Sequence, residues 1–142
     1  MVVTPVGKHC ILELHGCPHD VVNDETIMRE VIREASRESR STLLQLASHR
    51  FEPHGVTVLG LLAESHISVH TWPEHGYAAV DIFTCGEATE PERACEFLID
   101  RLGAEQHSIR VLPRGDAPSI PRTDREHRSD HYQESALCPA QT

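Results

Sequence analysis

The stretch ISVHTW (67–72), PEHG (73–76), YAAVDIFT (77–84) decides the fold. Two runs rich in β-branched and aromatic residues flank a short segment punctuated by Pro73 and Gly76, which reads as a strand pair around a turn. Successive strand side chains point to opposite faces. His66, Ser68 and His70 therefore point one way, and Ile67 and Val69 the other. The same parity groups Asp81, Phe83 and Cys85. One face is apolar, and the other carries His, Ser, His, Asp and Cys. Such a face is expensive as a core and poor as a featureless surface.

Working outward, TLLQLASH (42–49) and VTVLGLL (56–62) are two further strands, joined by RFEPHG with Pro53 and Gly55 at the turn. HCILELH (9–15) reads as a first strand and HSIRVLP (107–113) as a last one. Glu25 to Arg40 has helical periodicity, with Ile27, Val31, Ile32 and Ala35 as its apolar stripe and Glu30 and Glu34 on the wet side. A second helix begins near Pro91, a favoured first-turn residue, and carries Ala94, Phe97, Leu98 and Leu102 to Gly103. The order β-α-β-β-β-β-α-β predicts an α+β two-layer sandwich, a largely antiparallel sheet with both helices on one face. Residues 1–113 make the single domain. From Arg114 to Thr142 the chain turns polar, with three prolines and scattered charge, and reads as a flexible tail.

At 142 residues the chain has room for one domain that buries roughly two-thirds of its unfolded surface. Only 4% of residues are aromatic, a lean core that points to oligomerisation. A net charge of −9 argues against nucleic-acid and anionic-membrane partners. No apolar run approaches the roughly 18–20 residues of a membrane span, and MVVTPVGKHC lacks the form of a signal peptide. A soluble, cytoplasmic protein is expected. Five cysteines, Cys10, Cys17, Cys85, Cys95 and Cys138, show no CxxC and no framework spacing, so reduced thiols are expected.

Twelve arginines accompany a single lysine, Lys8, which is expected ahead of the first strand. Pyridoxal-phosphate and Schiff-base lysine chemistry needs a buried lysine, so amine chemistry here calls for another electrophile. Eleven histidines offer ligands. Histidines four apart on a strand, such as His66 and His70, lie about 13 Å apart, too far for one ion. No metal is expected from His66, His70 and His75, with or without Asp81 or Cys85. A solvated polar face and a covalent site remain open, and spacing alone selects no nucleophile between Cys85 and a serine.

LAESHISVHTWPEHGYAAVDIFTCG (62–86) closely resembles the self-processing segment of the prokaryotic S-adenosylmethionine decarboxylases, which are pyruvoyl enzymes. HRFEPHGVT (49–57), GKHCILEL and ERACEFL match the same family, so the resemblance covers roughly residues 7–113. It implies cleavage between Glu64 and Ser65, giving a β chain 1–64 and an α chain from residue 65. Ser65 would attack the preceding carbonyl in an N-to-O acyl shift. β-Elimination and loss of ammonia would then leave a pyruvoyl cofactor able to form a Schiff base with the substrate amine. The resemblance assigns His70 to proton transfer in processing and Cys85 to proton donation in turnover. It also implies Phe51 stacking on adenine, Glu74 bonding the ribose and Thr57 supporting processing. Family members commonly have Tyr at the position of His75 and Ser-Gly at Thr57-Val58, and QLASH (45–49) departs from the usual residues.

The implied function is decarboxylation of S-adenosylmethionine for spermidine and polyamine biosynthesis by a homo-oligomer of processed αβ units, at least a dimer. Alternatives are a pyruvoyl decarboxylase of the same fold acting on arginine or ornithine, and an unprocessed, non-catalytic relative.

Overall fold

The computed structural model describes residues 5–115. Its elements are β1 (Gly7–His15), α1 (His19–Val22), α2 (Glu25–Glu38), β2 (Leu43–Arg50), β3 (Val56–Leu62), β4 (Ser65–Trp72), a 3₁₀ turn (Pro73–His75), β5 (Tyr77–Cys85), α3 (Pro91–Arg101) and β6 (Gln106–Arg114). The strands form one sheet in the order β2-β3-β4-β5-β1-β6, and every pairing among the described residues is antiparallel. Strands β2 to β5 follow one another as a meander. The first strand then inserts between β5 and β6, so the two ends of the domain meet at β1.

Both long helices pack on one face, giving the expected two-layer α+β arrangement. Cys10, Leu12 and Leu14 of β1, Ile67 and Val69 of β4, and Ala78, Val80 and Ile82 of β5 supply the sheet side of the core. Met28, Val31, Ile32 and Ala35 of α2 meet them, with Ala94 and Leu98 of α3. Burying a side chain of this size contributes about 1.5–3 kcal/mol. Gly60 permits close approach of α2 to β3, since a Cβ there would stand 3.0 Å from Ile32 Cγ2. Asp24 caps α2 by accepting the Ile27 N–H at 2.9 Å, satisfying one of the open donors of the first turn. The buried Thr71 hydroxyl donates to the Val22 carbonyl at 2.7 Å and accepts the Val56 N–H at 2.8 Å, tying α1 to the sheet.

Several boundaries differ from expectation. Helix α2 stops at Glu38 because Ser39 caps it and Arg40 turns into the left-handed region, φ 55°. The four-residue α1 is too short to carry a periodic signal. Lys8 lies inside β1 and not ahead of it, because the ladders with β5 and β6 begin at Gly7. Its side chain is still exposed, paired with Glu92 at 2.8 Å. Cys10, Cys17, Cys85 and Cys95 are free thiols, and only Cys85 is exposed. A hydrogen bond with Cys10, together with burial, pushes the Cys95 thiol well above its ordinary value. Strand β6 runs to Arg114, one residue past the expected domain end; Cys138 and the expected tail from residue 116 onward lie outside the described residues.

Candidate active site

Strands β3 and β4 are joined by Ala63-Glu64 alone, with Leu62 opposite Ser65. Two-residue hairpin loops match strand twist through positive φ, which Gly or Asn normally supplies. Neither residue is present in this loop. The positive φ falls instead on Ser65, at 145°, a conformation nearly confined to glycine that costs on the order of 1–3 kcal/mol. The Glu64–Ser65 peptide is also pinned. The Glu64 carbonyl oxygen accepts the Cys85 N–H at 3.0 Å, and Ala63 N–H donates to the Thr42 carbonyl at 2.9 Å. The Glu64 carboxylate accepts the Thr42 N–H at 3.0 Å.

The sheet face opposite the helices carries the polar side chains grouped by alternation. Ser68 stands opposite Asp81 and His66 opposite Phe83. Asp81 is their centre: one carboxylate oxygen accepts from His66 Nε2 at 2.7 Å and from His9 Nε2 at 2.8 Å. Its other oxygen accepts the Ser68 hydroxyl. Burial works to raise the Asp81 carboxyl, but the bonds from Ser68, His66 and His9 outweigh it and hold the group below its ordinary value. Ser65 Oγ lies 3.3 Å from His66 Nδ1. Arg114 reaches His9 Nδ1 at 2.9 Å and sits 5.4 Å over the Phe83 ring. A depression of about 320 Å³ on this face is lined by His9, Ile11, Glu13, Ser68, His70 and Asp81 among others.

His70 is held elsewhere. Its Nδ1 pairs with Thr57 Oγ1 at 3.0 Å, across the β3–β4 ladder. Glu74, in the 3₁₀ turn beside His75, pairs with His54 at 3.0 Å. Phe51 follows β2 and meets His49 edge-on, ring centroids 4.6 Å apart. The residues expected at the site thus fall into two groups. Glu64, Ser65 and Cys85 lie at one end of the β3-β4-β5 meander, and Phe51, Thr57, His70 and Glu74 lie toward the other.

His9, His66 and Asp81 are the group among the described residues whose donor atoms all lie within 4.8 Å, a spacing that fits a metal ion. It differs from the histidine set weighed on sequence, because His9 comes from a strand distant in the chain. Reasoning from the sequence missed His9, Arg114 and His54. Strand parity of HCILELH would have given His9 a face but not its neighbours.

The family model described as S-adenosylmethionine decarboxylase matches residues 8–115. The S-adenosylmethionine decarboxylase proenzyme of Prochlorococcus marinus (strain MIT 9313) is 59% identical over 109 residues, covering 77% of this chain and 87% of that protein. The proenzyme of Pyrobaculum arsenaticum is 44% identical over 105 residues, 73% of this chain and 84% of that protein. The crystal structure of the adenosylmethionine decarboxylase of Aquifex aeolicus VF5 superposes with a TM-score of 0.76 at 35% identity, covering 83% of this chain and 98% of that one. Fold and matches together define a one-sheet α+β decarboxylase proenzyme. The chain belongs to the S-adenosylmethionine decarboxylase family.

Proposed function

We infer that the chain cuts its own backbone between Glu64 and Ser65, acquires a pyruvoyl group at residue 65, and decarboxylates S-adenosylmethionine to the aminopropyl donor of polyamine synthesis. The observation that carries this reading is the junction itself, strained at Ser65 and pinned at the Glu64 carbonyl. When Ser65 Oγ attacks that carbonyl, charge gathers on the oxygen already bound by the Cys85 N–H, as in an oxyanion hole. Ser65 is the fitting precursor, since a serine hydroxyl lost by elimination leaves the carbon skeleton of pyruvate. Once formed, the pyruvoyl ketone supplies an electron sink for the carbanion left by loss of CO₂.

The chain's own groups do the rest. The exposed Cys85 side chain gives the proton in turnover; Cys85 follows Thr84, which stands opposite Ser65 in the ladder. Phe51 offers an aromatic face to the adenine, and Glu74 a carboxylate to the ribose hydroxyls. Lys8, exposed and paired with Glu92, is no substitute electrophile carrier.

Ser65 and His70 are five positions apart on β4, a rise of about 16 Å. Proton transfer needs hydrogen-bond reach. His70 therefore serves residue 65 of a second copy, moving the proton in the elimination that opens the ester, with the two sheets packed open face to open face as a dimer. Leu59, Leu61 and Leu112, 48%, 51% and 41% exposed, lie on that face and gain cover from such packing. A cytoplasmic enzyme suits the −9 net charge, and no described helix is long and apolar enough to cross a membrane.

The test is CO₂ release by the cleaved protein from S-adenosylmethionine, arginine and ornithine. Release from S-adenosylmethionine alone is expected. Turnover of arginine or ornithine instead would replace the substrate, and a folded chain that never cleaves would be a non-catalytic relative.

A further inference from the structure

Ser65, His66 and Asp81 form a hydrogen-bonded series that the roles given above leave unused. Ser65 Oγ meets His66 Nδ1 at 3.3 Å, and His66 Nε2 meets Asp81 Oδ2 at 2.7 Å. The protonation pattern follows from the partners. A carboxylate only accepts, so the His66 proton sits on Nε2, and Nδ1 turns its lone pair toward the Ser65 hydroxyl. The same logic fixes His9. Arg114 only donates, so His9 Nδ1 accepts and His9 Nε2–H points at Asp81. A metal ion bridging His9, His66 and Asp81 would need lone pairs on both Nε2 atoms, and Arg114 stands against that at His9.

We propose that His66 is the general base that activates Ser65 in the first step of self-cleavage, with Asp81 as the positioning residue behind it. This rests on the proenzyme reading given above. The Ser65 Oγ–H bond breaks and its proton passes to His66 Nδ1, while Oγ bonds to the Glu64 carbonyl carbon. The carbonyl π pair moves onto the oxygen held by the Cys85 N–H. When that pair returns, the Glu64–Ser65 C–N bond breaks and the proton on His66 passes to the Ser65 nitrogen. An amide and an alcohol become an ester and an amine with no change in oxidation state. Asp81 keeps the ring in the useful tautomer and balances the imidazolium formed between the two transfers. The carboxyl is held below its ordinary value, so it stays ionised for this purpose. The His66 side chain is 42% exposed on the open face, so truncating it leaves the helix-side core intact.

The test uses the full chain, with Ser65→Ala as the uncleaved reference. His66→Ala and His66→Gln should slow cleavage about 10²–10⁴-fold, the usual worth of a general base. The chain that accumulates should be the amide, which hydroxylamine does not split, and added imidazole should restore part of the rate to His66→Ala. Asp81→Asn would donate to Nε2 and force the proton onto Nδ1, slowing cleavage, while Asp81→Glu should recover part of it. Cleavage of folded His66→Ala at the wild-type rate would overturn the proposal. So would a hydroxylamine-labile ester accumulating in that variant, or a slow rate deaf to imidazole in both variants. Tight zinc binding to Ser65→Ala that is lost in His9→Ala would replace the base with a metal ligand. If the wild-type chain itself never cleaves, the proenzyme reading has failed at its own first step.

Discussion

The Cys85 N–H donates to the Glu64 carbonyl oxygen at 3.0 Å, while the Cys85 side chain stands exposed at the end of β5. One residue thus meets the Glu64–Ser65 peptide through its backbone and faces the open side of the sheet through its thiol. The two roles separate on mutation. Cys85→Ala keeps the N–H and should still cleave, yet lose about 10²–10⁴-fold of decarboxylation, the usual worth of a general acid. Mass spectrometry reads the first outcome and CO₂ release the second. Decarboxylation at the wild-type rate would make the thiol a bystander.

Purified wild-type protein should run as two chains whose masses correspond to residues 1–64 and 65–142. Ser65→Ala should stay a single chain, because no hydroxyl remains to attack the Glu64 carbonyl. Intact mass before and after long incubation decides it.

Thr57 Oγ1 meets His70 Nδ1 at 3.0 Å. Thr57→Val keeps the shape and loses the hydroxyl, so processing should slow by about tenfold, the worth of roughly one hydrogen bond. Thr57→Ser should process normally. Equal rates in all three chains, followed on a denaturing gel, would remove Thr57 from the reaction.

Mixing copies tests the shared site. His70→Ala chains and Ser65→Ala chains should each remain uncleaved alone. Refolded together, the His70→Ala chain should cleave, because its Ser65 meets His70 from the other copy. A mixture that stays intact while light scattering shows dimers would return His70 to a role within its own chain.

Asp81 links the site to acid stability. Its carboxyl is held below the ordinary value, so the folded state binds that proton less readily than the unfolded chain, whose carboxyl titrates near about 3.9. The contribution is complete above that range and is lost as pH falls through the folded value. Asp81→Asn should flatten the fall of Tm between about pH 5 and 3. An unchanged slope would assign the acid sensitivity to other carboxylates.

The sequence by itself determined the six strands, the two long helices and the side chains that share a face. All follow from local periods: two for ISVHTW and YAAVDIFT, and 3.6 for the helix after Asp24. It also contained, in the five-position offset from Ser65 to His70, the separation that divides the site, since strand rise is fixed. The motif of residues 62–86 carried the family. Only the tertiary structure decided which strands are neighbours. Inserting β1 between β5 and β6 brings His9 to Asp81, 72 residues away along the chain, and Arg114 to His9, 105 residues away. No local pattern encodes that order, because it is chosen by how the whole sheet covers α2 and α3. The positive φ at Ser65 is likewise imposed by the ladders on either side of a two-residue turn, and not by the residue's own preference.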